Sequence, residues 1–165
     1  MKDEEQSSVT NYELRYKKGS KNIIRNAKFV IEKVKIYCGK MIVYTNNSAP
    51  QNIEKIITKF YKKQAELVFT EIFNNCLKLH KQFVIRNSKF IIRNFKMRWG
   101  SCTKAGKIIL NTALIKAPKA SIEYVIIHEL CHLIHYNHNK DFYALQNKLY
   151  PNWEKWKEKL ELLLV

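Results

Sequence analysis

The chain has 165 residues, 46% hydrophobic and 27% charged, with only 4 glycines and 3 prolines, so a fibrous or low-complexity chain is excluded and one globular domain is expected. Its formal charge of +16 would attract polyanions such as nucleic acid or nucleotides. Lysine far outnumbers arginine, however, and the charges are scattered, which also suits a solvated surface in a chain from an AT-rich genome.

No stretch approaches the length of a membrane span, so no membrane partner is expected. The acidic start, Met1 to Ser8, lacks the character of a secretory signal and reads as a frayed tail. Cysteines at 38, 76, 102 and 131 form no C-x-x-C pair. That spacing points to reduced thiols in a cytoplasmic protein.

Residues 9–48 read as strands. Phe29 to Tyr37 contains a period-two stretch, Cys38-Gly39-Lys40 supplies a turn, and Met41 to Tyr44 resumes extended structure, as in a hairpin of an antiparallel sheet. Asn46-Asn47-Ser48-Ala49-Pro50 breaks it. From about Asn52 to Leu79 apolar residues recur at three- and four-residue steps, which predicts one long amphipathic helix or two in series. His80 beyond it suits a favourable charge at a helix end. Short strands follow at 83–85, 90–92 and 107–110. Pro118 ends this region, and Ser121 is the expected N-cap of a helix running through His135, with Glu123 in its first turn. A further helix starts after Asn139 and stops before Pro151. The last, 152–163, places Trp153, Trp156, Leu160 and Leu163 on one buried stripe. No linker separates these parts, so the expected organisation is a single α+β domain over 1–165: N-terminal strands (9–48), a helical segment (50–80) and a core (83–165).

Four of the five histidines, His128, His132, His135 and His138, fall within eleven residues. His128-Glu129-Leu130-Cys131-His132 reads H-E-x-x-H. On a helix, positions i and i+4 lie about 6 Å apart on one face, so two imidazoles can each place a nitrogen roughly 2.0–2.1 Å from one Zn²⁺. Glu129 then points to the open side of the ion. A catalytic site needs a third ligand and room for water. His138, ten residues after His128, has the spacing of the third histidine in H-E-x-x-H-x-x-G-x-x-H. The glycine of that pattern is replaced by His135, which competes for the role. Three ligands on one straight helix would line up in a row, whereas a tetrahedral ion takes its third from another direction, and this favours His138. Cys131 reads either as a ligand or as a small buried residue. Zinc in such a site lowers the pKa of water to about 7, and Glu129 beside it acts as general base, which predicts hydrolysis.

Across Arg98-Trp99-Gly100-Ser101-Cys102, Ile109-Leu110-Asn111, Ile122 to Leu133 and Asn137-His138, the chain resembles the bacterial YgjP-like metal-dependent hydrolases. That family is related to the SprT and WLM zinc metallopeptidases. The resemblance implies a compact zincin-like α+β fold, with a small, mainly antiparallel sheet packed on the active-site helix. It implies one zinc per chain on His128, His132 and His138, Glu129 as base, and a peptide or protein substrate. A strand beside the helix would accept that peptide by main-chain pairing. Trp99, Gly100 and Ser101 are the candidates for lining the cleft, and Arg98 either meets a substrate anion or lies along the surface. Asn139 and Tyr143 stand where the family often shows Ser and Trp. A nucleoside triphosphate pyrophosphatase using the same metal is the alternative activity. A nucleic-acid-associated protease of the SprT kind is a third reading.

Overall fold

In the computed structural model, residues 32–38, 40–86 and 89–163 are described; the expected strands before residue 32 and the N-terminal tail lie outside them. The chain divides into two units, one ending at Phe60 and the other starting at Tyr61, with the boundary inside helix α1 (Pro50–Leu79).

In the first unit, β1 (Lys33–Tyr37) and β2 (Lys40–Tyr44) form the expected antiparallel hairpin, with Val34 opposite Val43. Cys38 at its turn has φ of 47°, the left-handed conformation such tight reversals need. Met41 and Val43, two apart on β2, are the buried pair. Pro50 opens α1, where its missing N–H costs nothing. Ahead of it, the Asn47 side chain accepts from the Ala49 N–H, and Asn52 donates back to Thr45 and to the Asn47 carbonyl.

In the second unit, α1 runs on unbroken and buries Ala65, Phe69, Ile72, Phe73 and Cys76, one stripe of a 3.6-residue repeat. The expected strand at 83–85 is instead a 3₁₀ segment, Lys81–Arg86. The Phe83 N–H bonds to the His80 carbonyl, and the Phe83 ring is fully buried. A three-residue apolar run is too short to specify a strand, and here a single aromatic anchor directly after α1 uses a tight turn. β3 (Phe90–Arg93), β4 (Gly100–Cys102) and β5 (Ile108–Asn111) form a sheet of order β3-β5-β4. β5 pairs parallel with β3 and antiparallel with β4. Among the described residues two of the three strand pairings are thus antiparallel, and the α+β class holds.

Helix α2 (Lys119–Cys131) is the centre of this unit. Nine of its 13 residues are buried, so it has hardly any solvent face, and β4, β5, α3 (Lys140–Leu149) and α4 (Trp153–Glu161) pack around it. Its start differs from expectation: Pro118 holds the cap position, and the N–H groups of Ser121 and Ile122 bond to the Pro118 carbonyl. Ser121 lies inside the helix, fully buried, and its hydroxyl donates to the Trp156 carbonyl at 3.3 Å. That bond ties α4 to α2, which local sequence cannot announce. Likewise the Tyr150 hydroxyl at the end of α3 donates to the Ala120 carbonyl. On α4, Leu160 is buried and the two tryptophans half-buried, but Leu163 is 50% exposed because the helix stops at Glu161. No helix among the described residues is long and apolar enough to cross a membrane.

Candidate metal centre

The end of α2 decides where the histidines go. The helix was expected to run through His135, yet its last residue is Cys131 and His132 is the C-cap. Beyond it the Leu133 and Ile134 N–H groups bond three residues back, to Leu130 and Cys131, a 3₁₀ tightening that turns the chain without glycine. Asn139 then caps α3, its side-chain oxygen accepting from the Phe142 N–H at 2.9 Å. His138 sits just before that cap and faces back to α2.

His128, His132 and His138 consequently bring one ring nitrogen each within 4.8 Å of one another. The Nε2 atoms of His128 and His138 approach to 3.0 Å, near the roughly 3.3 Å separating two nitrogens bound to one tetrahedral zinc. Two of the rings are oriented from behind. His128 Nδ1 donates to Gln146 Oε1 at 2.8 Å, and His132 Nδ1 donates to the His135 carbonyl at 3.2 Å, which leaves each Nε2 unprotonated, that of His128 accepting from His138 Nε2. Phe142, fully buried, lies beneath all three, its ring 5.0, 4.7 and 4.6 Å from theirs. His135 and Cys131 are not in the cluster. His135 contributes its backbone carbonyl, and Cys131 is a buried core residue whose thiol burial pushes up to about 12.

Electrostatics favour neutral imidazoles at His128 and His138. Burial holds His128 down at about 4, against the opposing hydrogen bond to Gln146, and burial also lowers His138. Glu129 is 5% exposed, and its Oε2 has no hydrogen-bond partner. Burial raises its carboxyl to about 8, with Arg98 pulling the other way. The charge of Arg98 does not outweigh that burial, and a cation beside the carboxylate would restore the ionised form. Three imidazole nitrogens beside an orphaned carboxylate oxygen match the ligands and base of catalytic zinc sites.

Beside His128 and Glu129 opens a cavity of about 250 Å³ lined by Trp99, Gly100, Tyr124, Val125, Lys157 and Leu160. Of the four candidates for substrate contact, Trp99 and Gly100 are there. Ser101 follows Gly100 on β4, where alternate side chains point to opposite faces, and it does not line the cavity. Arg98 is exposed, its guanidinium 5.6 Å from the Phe95 ring, and it reaches Glu129 only through its charge. What presses on Gly100 is Glu129 itself: a Cβ at position 100 would stand 2.5 Å from Oε1.

Sequence reading missed what holds that strand in place. The Asn111 side chain donates to the Phe95 and Arg98 carbonyls at 3.1 and 2.7 Å and accepts from the Ala113 N–H. Its backbone N–H bonds to the Trp99 carbonyl. One buried amide thereby fixes residues 95–99, which lead into Gly100. Gln146 was missed too. Four residues after Phe142, it is a polar side chain on the inward stripe of α3, and that misplacement in an apolar pattern was its only signal.

With the geometry in hand, comparison with known proteins is specific. The family model described as "YgjP-like, metallopeptidase domain" matches residues 2–162, and the chain belongs to that family. No curated protein matches it. Among solved structures it is similar to the crystal structure of the metallopeptidase zymogen of Pyrococcus abyssi abylysin, with 28% identity, a TM-score of 0.46, and coverage of 56% of this chain and 91% of that one.

Proposed function

We propose that this protein is a zinc-dependent peptidase, with one zinc per chain held by His128, His132 and His138. The observation that carries the reading is the convergence of three imidazole nitrogens beside the buried, unpartnered carboxylate of Glu129. When bound there, zinc supplies Lewis-acid polarisation of a carbonyl and brings the pKa of water near 7. Glu129 takes the proton of the attacking water at a carboxylate oxygen and returns it to the leaving amide nitrogen. Phe142 keeps the floor of the site dry. Trp99 and Gly100, with Tyr124, Val125 and Leu160, bound the cavity that receives a substrate side chain. Among the described residues β4 pairs only with β5, so its other edge is where an extended peptide adds by main-chain bonds. Arg98 and Ser101 act at the margin of that path, Arg98 through its charge.

Membership of a metallopeptidase family supports a peptide or protein substrate over the nucleotide and nucleic-acid alternatives. The cytoplasm suits the four cysteines, all of them free. The test is to incubate the zinc-loaded protein with unfolded casein and, separately, with a panel of nucleoside triphosphates. Casein cleavage that disappears in Glu129→Gln supports the reading. Triphosphate hydrolysis without casein cleavage overturns it.

A further inference from the structure

Gln146 is fully buried, and its amide is only half used: Oε1 accepts from His128 Nδ1, while Nε2 has no partner. The unsatisfied buried N–H is destabilising and offsets what the Oε1 bond contributes, so an apolar side chain of similar shape would change the stability of the metal-free core little. Stability therefore does not account for the residue. Its neighbour does. A neutral imidazole carries one proton, and whichever nitrogen holds it is useless as a metal ligand. With a carbonyl-type oxygen 2.8 Å from Nδ1, the proton stays on Nδ1 and the Nε2 lone pair faces His138 and the cluster. The opposite amide orientation would donate to Nδ1, put the proton on Nε2 and close the site.

Helix α3 explains how this is held. Its Asn139 cap sets the start, and Phe142 and Gln146, one turn apart, are its two buried residues. Phe142 lies against the three rings, and Gln146 reaches the back of one of them. His132 has a backbone carbonyl for the same purpose, so His128 alone depends on a side chain.

We propose that Gln146 is the positioning residue that sets the tautomer and ring orientation of His128 for metal binding, an inference that rests on the three-histidine reading of the site. It predicts that Gln146→Met loses 10- to 100-fold in zinc affinity, the usual effect of removing such an outer partner, while the metal-free protein melts at about the same temperature, the loss of the His128 bond and of the unpaired Nε2 offsetting each other. Gln146→Glu, which keeps the acceptor, should bind zinc within about threefold of the parent or more tightly.

The experiment titrates zinc alone against a chromophoric chelator for the parent and both variants, alongside thermal melts of the metal-free proteins. Nitrogen-15 spectra of the metal-free parent report which His128 nitrogen is protonated. A proton on Nδ1 is expected, and one on Nε2 overturns the proposal even if a variant does not fold. Equal zinc affinity in parent and Gln146→Met also overturns it, as does a Gln146→Glu protein as weak as Gln146→Met. If the parent itself takes up no zinc, it is the three-histidine reading that falls, a result distinguishable from the others.

Discussion

Replacing Gly100 by alanine isolates the position of Glu129 from everything else in the site. The new Cβ would lie 2.5 Å from Glu129 Oε1, 2.9 Å from Cγ and 3.0 Å from Cδ, whereas ordinary contact begins near 3.4 Å, so the carboxylate must retreat by about 0.9 Å. The fold should tolerate this. The obstacle is the end of one side chain, and an off-rotamer Glu129 costs about 0.5–1.5 kcal/mol. Alanine is favoured over glycine within a strand by roughly 0.5–1 kcal/mol, which offsets most of that cost. The three imidazoles are not displaced, so zinc affinity should stay within about threefold. Catalysis should not survive so well, since a misplacement of about 1 Å can cost 10²-fold in rate. Initial rates of casein cleavage by the zinc-loaded proteins, read with melting temperature and zinc affinity, give the test. A Gly100→Ala enzyme within about threefold of the parent rate would refute the claim that this contact positions the base.

Three further outcomes follow from the same contacts. In the metal-free protein, burial raises the Glu129 carboxyl from 4.5 to about 8. Its contribution to stability is full below 4.5 and is lost as pH rises through 8, so Glu129→Gln should raise the melting temperature more at about pH 9 than at about pH 5. Equal gains at both pH values would contradict this. Asn111→Ala unpairs the Phe95 and Arg98 carbonyls and should cost about 2–3 kcal/mol in denaturant unfolding. A loss under about 0.5 kcal/mol would show that the 95–99 segment holds itself. Zinc at a hundredfold excess over its Kd should stabilise the parent by about 2.7 kcal/mol, reversibly with a chelator. His132→Ala should abolish that gain, and a retained gain would place the metal elsewhere.

Much of the site was legible because it is local. H-E-x-x-H fixes two imidazoles on one helical face by spacing alone, and a third histidine six residues after His132 is within reach of any chain that turns sharply. The helix starting after Asn139 was legible, and the repeat from Ile53 to Cys76 announced α1. What the reading lost was at the edges of elements. The helix carrying His128 ends at Cys131, four residues early, because bonds to Leu130 and Cys131 tighten it, and that tightening, in place of a glycine, is what sends His138 back to the cluster. Phe83 lies in a 3₁₀ turn since its burial in the core outweighs a weak strand preference.

The sequence by itself therefore determined the α+β class, the central helix and the three imidazoles, all set by periodicities within a dozen residues. Only the tertiary structure decided that Gly100 abuts Glu129, that Asn111 fixes the segment leading to it, that β3 joins β5 in parallel, and that Gln146 stands behind His128. Each is a contact between residues distant along the chain. Such contacts arise from close packing of several elements at once, and no repeat or spacing within any one element encodes them.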